Sequence, residues 1–128
     1  MKRLLIMLLA LSAIAACKAP MKDQQTISTE QDIYQLYPTS NMWTFIKLNT
    51  RNGKLWQVQY DVRGDNRFEV VLSNIVLADD TTSPAGRFVL YETQNMYNFI
   101  LLDQITGKTW QVQWSIEEEN RAIIPISD

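Results

Sequence analysis

Fourteen carboxylates, a single thiol and no imidazole bound the catalytic chemistry open to this 128-residue chain. Without histidine, Ser/His/Asp and Cys/His catalytic arrangements are excluded. Zinc and most transition-metal sites lose their usual ligands as well. A carboxylate pair could still do hydrolytic chemistry. Glycoside hydrolysis needs two acids roughly 5 to 9.5 Å apart across a cleft. Asp61, Glu69, Glu92 and Asp103 lie on or beside segments of strand character. Turn chemistry explains Asp103 better, a strand end explains Asp61, and Glu92 has no nameable partner. A carboxylate-dependent hydrolase is therefore the least favoured reading, a non-enzyme is the expectation, and no cofactor is expected.

Aromatic rings beside amides supply a different chemistry: rings stack on sugar faces while amides read hydroxyls. Trp43 and Tyr97, with Gln57, Gln59, Gln111 and Gln113, are the candidate ligand-binding residues. The packing alternative makes Trp43 and Tyr97 core and turns the glutamines into a solvated ladder of cross-strand amides. Asp79 and Asp80 with Glu117, Glu118 and Glu119 offer oxygen ligands, but without calcium-loop spacing, so no metal site is expected. Arg63-Gly64-Asp65 spells an integrin-type tripeptide, and the corresponding place later in the chain holds three glutamates, so coincidence in a turn explains it.

Cys17, the only cysteine, excludes a disulfide framework. It ends a segment with basic Lys2 and Arg3, an apolar run from Leu4 to Leu11, and the small residues of Ile14-Ala15-Ala16. That pattern is a targeting signal, its apolar part shorter than the roughly 20 residues a membrane span needs. Ile14-Ala15-Ala16-Cys17 resembles the lipobox of bacterial lipoproteins. The resemblance covers the N-terminal segment alone and implies a signal peptide over 1–16. It also implies lipidation of Cys17 by a diacylglyceryl group, with palmitate-type acylation of the new N-terminus. At about 0.8 kcal/mol per buried methylene, two or three acyl chains hold a protein at a membrane. An ordinary secretory signal that happens to contain a cysteine is the alternative.

Residues 17–32 then form a polar tether. Lys18 stands where an acidic residue would favour retention at the inner membrane, and no acidic cluster resembling a surface-export signal follows. A cell-envelope position on the periplasm-facing side of the outer membrane is expected. Residues 17–128 carry 10 basic and 14 acidic side chains, a net charge of −4. No basic stripe is present for nucleic acid, and the charge gives no reason to bind anionic lipid. Partners are therefore a membrane, through the lipid, and a protein or glycan.

The elements that position these residues come from a duplication. Tyr37–Tyr60 and Tyr91–Trp114 are identical at 13 of 24 positions, 54 residues apart. A repeat of this length is one supersecondary unit used twice. Trp, Tyr, Val, Ile and Thr crowd its segments and helical spacing is absent, which predicts an all-β fold. Four strands are expected per copy: Ile33–Pro38, Met42–Asn49, Lys54–Asp61 and Arg67–Ser73, then Arg87–Thr93, Met96–Asp103, Lys108–Ser115 and Arg121–Ser127. The β domain is thus 33–128, with repeat one over 33–73, a joint over 74–86 and repeat two over 87–127. Asn49 to Gly53 and Asp103 to Gly107 carry an Asx start and a glycine end, the chemistry of a tight hairpin.

Alternation places Trp56, Val58, Tyr60 and Val62 on one face of the third strand, and Gln57, Gln59 and Asp61 on the other. Trp110, Val112, Trp114 and Ile116 repeat the apolar face in the second copy, opposite Gln111 and Gln113. The Trp-bearing face is expected to be the buried one in both copies. The second strand is apolar on both sides (Met42, Ile46 and Leu48 against Trp43 and Phe45), so part of each sheet must be covered twice.

Leu102-Asp103-Gln104-Ile105-Thr106-Gly107-Lys108-Thr109-Trp110 resembles the core of a blade in quinoprotein-type propellers; the first copy departs from it with Asn49 and Asn52. The whole chain resembles small tandem-repeat lipoproteins of Bacteroides-type bacteria. The resemblance implies two tandem four-stranded antiparallel meanders, each blade-like. Propellers close with at least about four blades, so two leave three packings: a compact two-sheet domain, a fragment with exposed outer faces, or a ring of several chains. The compact monomer is favoured over the homo-oligomeric ring. The function expected is a non-catalytic envelope lipoprotein serving as an interaction or scaffolding module, with glycan binding as the alternative.

Overall fold

A computed structural model describes residues 32–126; the signal segment, Cys17 and most of the tether lie outside the described residues. Eight strands fill the two repeats: β1 (Tyr34–Pro38), β2 (Thr44–Asn49), β3 (Leu55–Gln59) and β4 (Phe68–Val71), then β5 (Phe88–Glu92), β6 (Asn98–Asp103), β7 (Thr109–Gln113) and β8 (Ala122–Pro125). They form two antiparallel four-stranded meanders, β1-β2-β3-β4 and β5-β6-β7-β8. The fold is all-β, and each strand sits inside a segment expected from the sequence. The one helical element described is a 3₁₀ turn, Glu118–Asn120.

The two sheets keep the same register. Tyr34 pairs with Asn49 as Phe88 pairs with Asp103, and Thr44 with Gln59 as Asn98 with Gln113. Trp56 pairs with Val71 as Trp110 pairs with Pro125. The hairpin turns follow the expected chemistry. Asn49 Oδ1 accepts the Arg51 N–H at 2.9 Å, and Asp103 Oδ1 accepts that of Ile105 at 2.9 Å. Gly53 and Gly107 close the turns at φ of 80° and 74°, a left-handed conformation that side-chain-bearing residues rarely adopt.

Stacking of the sheets departs from the expectation. In the first sheet the side chains buried against the core are Thr44, Ile46, Leu48, Leu55 and Gln57, while Asn49, like its counterpart Asp103, is buried at its hairpin turn. In the second they are Phe88, Leu90, Phe99, Leu101, Trp110, Val112, Trp114 and Ile123. Shifted by 54 residues, the core-facing set corresponds to Asn98, Ile100, Leu102, Thr109 and Gln111, none of them buried. The repeats thus bury opposite faces, and the sheets stack face to back around one shared core. The expected burial of the Trp-bearing face holds in the second sheet for Trp110, Val112 and Trp114, fails for the exposed Ile116, and is corrected in the first. There Trp56 and Val58 are half-buried on the outside, Tyr60 and Val62 are exposed, and Gln57 is 0% exposed. The reason is geometric: in a face-to-back stack each layer offers its neighbour the face that the neighbour turns away.

Several contacts lock the stack. The Phe88 N–H donates to the Thr50 carbonyl at 2.8 Å, and the Gly86 N–H to Thr50 Oγ1 at 2.9 Å. From the joint, Leu77 and Ala78 pack against the core.

Candidate functional site

Trp43 and Tyr97 owe their positions to a turn repeated in both copies. Asn41 Oδ1 accepts the Trp43 N–H at 2.9 Å, and Asn95 Oδ1 accepts the Tyr97 N–H at 2.9 Å. Thr39 and Thr93 close the same turns by donating to the Thr44 and Asn98 carbonyls. Each ring then leans on the aromatic at the end of the third strand: Trp43 on Tyr60 at 5.3 Å, Tyr97 on Trp114 at 5.2 Å between centroids. Trp43 is 36% exposed and Tyr97 45%, so the packing alternative that made them core is corrected.

The four glutamines divide. Gln59 and Gln113 are half-buried and donate to turn carbonyls, those of Asn66 at 3.4 Å and Asn120 at 2.8 Å. Gln111 donates to Asn98 Oδ1 at 2.8 Å on the outer face of the second sheet. Gln57 instead lies in the core with neither amide atom hydrogen-bonded, which removes it from the solvent-facing ladder. One groove of about 450 Å³ brings Tyr97 and Gln113 together with Asn95, Asn98 and Asn120. Trp43, Gln57 and Gln59 belong to the other sheet and do not line it.

The four candidate carboxylates are scattered. Asp103 is clamped by Arg87, whose Nε donates to Oδ1 at 3.0 Å and Nη2 to Oδ2 at 2.8 Å. That guanidinium holds the Asp103 carboxyl far below the usual carboxylate range, helped by Thr106 and by backbone N–H groups. Asp61 caps the β3–β4 turn, where the Arg63 N–H lowers its pKa. Glu69 pairs with Lys47. Glu92 lines a groove of about 300 Å³ with Thr39, Ser40, Thr93 and Asn95 and none of the other three acids. Among the described residues no three His, Cys, Asp or Glu side chains gather as a metal-binding group. Asp79 is occupied by its own turn, accepting from the Thr81 N–H and hydroxyl at 2.6 Å each.

Comparison with protein-family models, with curated proteins and with solved structures yields no match in any of the three. The chain's own surface therefore carries the functional reading.

Among the described residues, each sheet has an outer face on which large apolar side chains stay half-buried or exposed. On the first sheet Tyr34 and Trp56 lie 6.2 Å apart, with Lys47 Nζ 4.5 Å from the Trp56 ring and Lys54 Nζ 5.3 Å from it. Phe45 and Val58 extend the patch, and Tyr60 joins Phe45 at 6.2 Å. On the second sheet Tyr91, Ile100, Leu102 and Ile124 share the outer face with Gln111. Sequence reasoning expected the glutamine-bearing outer face of the second sheet to be solvated, but missed the outer face of the first sheet as a surface. It also missed the Arg87–Asp103 clamp, whose only signal was a basic residue opening the second repeat where the first has Ile33.

Proposed function

We propose that this chain is a non-catalytic cell-envelope lipoprotein, held to a membrane by acyl chains on Cys17, whose β domain is an interaction or scaffolding module. The observation that carries the reading is the pair of uncovered sheet faces, aromatic on one side and aliphatic on the other. Contiguous apolar surface of this kind, interrupted by a few charges, marks places where macromolecules meet. Chemistry is poorly supplied: the carboxylates with assigned partners are held by turns or ion pairs, and the chain has no histidine. The polar tether gives the domain reach from the periplasm-facing side of the outer membrane. Metabolic labelling with palmitate, followed by membrane fractionation, tests the anchor. Label and membrane association should both be lost in Cys17→Ala, and a soluble, unlabelled wild-type chain would overturn the anchoring.

A second reading has its own observation. The groove holding Tyr97, Gln113, Asn95, Asn98 and Asn120 places an exposed ring beside amides, the recognition chemistry of a sugar. Under this reading the protein is a small glycan-binding lipoprotein. An oligosaccharide array probed with the chain from Lys18 onward should give binding that Tyr97→Ala abolishes. Binding unchanged by that substitution, or no binding at all, would end it.

A further inference from the structure

The interface between the two sheets is made of two different faces, and the molecule carries a second, uncovered copy of each. Inside, the face bearing Ile46, Leu48, Leu55 and Gln57 meets the face bearing Phe88, Phe99, Leu101, Trp110 and Val112. The outer face of the second sheet is the counterpart of the former: Ile100, Leu102, Thr109 and Gln111. The outer face of the first sheet is the counterpart of the latter: Tyr34, Phe45, Lys47, Trp56 and Val58.

The correspondence extends to geometry. Tyr34 and Trp56 stand 6.2 Å apart with planes inclined by 57°, and the buried Phe88 and Trp110 stand 6.2 Å apart at 50°. Gly53 shows where the internal partner sits, since a Cβ there would meet Leu77 at 2.9 Å and Phe88 at 3.0 Å. At Gly107, its counterpart, a Cβ meets nothing within 4 Å. The internal bond from the Phe88 N–H to the Thr50 carbonyl likewise has counterparts, the Tyr34 N–H and the Gln104 carbonyl, at opposite ends of the stack. Tyr34 is the residue that would fill the open place beside Gly107.

We infer that the outer face of the second sheet docks on the outer face of the first sheet in a second copy of this chain, repeating the internal face-to-back stack between molecules. This rests on the proposed interaction module and names its partner. Two differences at the docking face fit that occupant. Leu101 and Ile123 of the internal interface are replaced outside by Lys47 and Glu69, which form an ion pair. The glutamine that meets the apolar face inside has no hydrogen bond, whereas its counterpart Gln111 would meet a charged pair able to bind an amide. An interface between unlike faces closes into a ring where its rotation allows and otherwise runs on as a filament; the propeller-like stacking of blades favours closure. Propellers close with roughly four to eight blades, so about two to four chains complete one.

Residues 32–126 hold both sheets and the shared core, so the chain from Lys18 onward is the form to weigh, by sedimentation equilibrium over a wide concentration range. It is expected to assemble into one discrete species of about two to four chains. Tyr34→Glu blocks one face, and Tyr91→Glu with Ile124→Glu blocks the other. All three positions are at least half exposed (56%, 50% and 50%), so each variant should keep its fold and sediment as a monomer. Mixed together, the two variants should give a one-to-one heterodimer, because each retains the face the other lost. A wild-type chain that stays monomeric throughout would overturn the stacking, as would self-association of either blocked variant. A monomer would leave the anchored-module reading to its own labelling test, so the two can fail separately.

Discussion

Arg87 and Asp103 form a two-pronged ion pair that the first repeat does not have. Arg87 opens β5, Asp103 caps the β6–β7 turn, and the guanidinium reaches both carboxylate oxygens while a third nitrogen donates to Ser83 Oγ at 3.0 Å. The pair ties the joint between repeats to the second sheet. In the first repeat Ile33 and Asn49 stand at these positions.

Replacing Asp103 by the asparagine found at position 49 should keep the turn and lose the ion pair. A loss of about 1–3 kcal/mol is expected, since both groups are largely shielded and Arg87 would be left without its partner. The carboxyl's pKa is depressed in the folded state, so its contribution is fully present above the unfolded value of 3.8. It is lost as pH falls below that toward the folded value. Urea midpoints for wild type and Asp103→Asn should therefore differ at neutral pH and converge progressively below about pH 4. A constant gap across that range would show that the ion pair is not the cause.

Gly53 and Gly107 separate backbone strain from crowding. Alanine at either must adopt a positive φ, which costs roughly 1–2 kcal/mol. At Gly53 its methyl would also press on Leu77 and Phe88, adding about 1–3 kcal/mol of overpacking. Gly53→Ala should be the more destabilising by chemical denaturation. Equal effects would place Phe88 away from the turn.

Trp114 and Tyr60 are the same position in two environments. Trp114 is sealed in the core and donates from Nε1 to the Met96 carbonyl at 2.9 Å, while Tyr60 is exposed. Trp114→Ala should cost about 3–5 kcal/mol, and Tyr60→Ala under about 1 kcal/mol in the monomer. Thermal unfolding of the two variants measures the contrast.

Gln57 is a buried amide with no partner, so an apolar residue of similar volume should improve the core. Gln57→Leu is expected to stabilise by about 1 kcal/mol or more. Gln111→Leu removes the bond to Asn98 from an outer face and should gain nothing. Destabilisation by Gln57→Leu would mean that the amide is satisfied in solution.

Much of this was legible in the residues. The 54-residue offset gave the two sheets, and Trp, Tyr, Val and Ile density with Asx and glycine at the turns located all eight strands. Burial phase was not legible, for a physical reason. Two related repeats carry similar period-two patterns, and a face-to-back stack requires them to bury opposite faces. A pattern read one repeat at a time assigns both the same face. The distinguishing residues were Lys47 against Leu101, Glu69 against Ile123 and Leu55 against Thr109, where the less buried member of each pair is the polar one. Comparing the repeats by difference rather than by identity would have found the phase. The positions of Trp43 and Tyr97 were legible as a pair, but their exposure is set by the Asn41 and Asn95 turns that hold them.

Thiol labelling at one position in each repeat tests the face-to-back stack most directly. The chain from Lys18 onward lacks Cys17, so Gln57→Cys and Gln111→Cys each introduce the only thiol. Measured at dilution where the chain is monomeric, Cys at 111 should react almost as fast as in denaturant. Cys at 57 should react at least ~100-fold more slowly, because it must wait for the sheets to open. Equal rates at the two positions would contradict the stacking of unlike faces, and with it the pair of uncovered surfaces from which the proposed role follows.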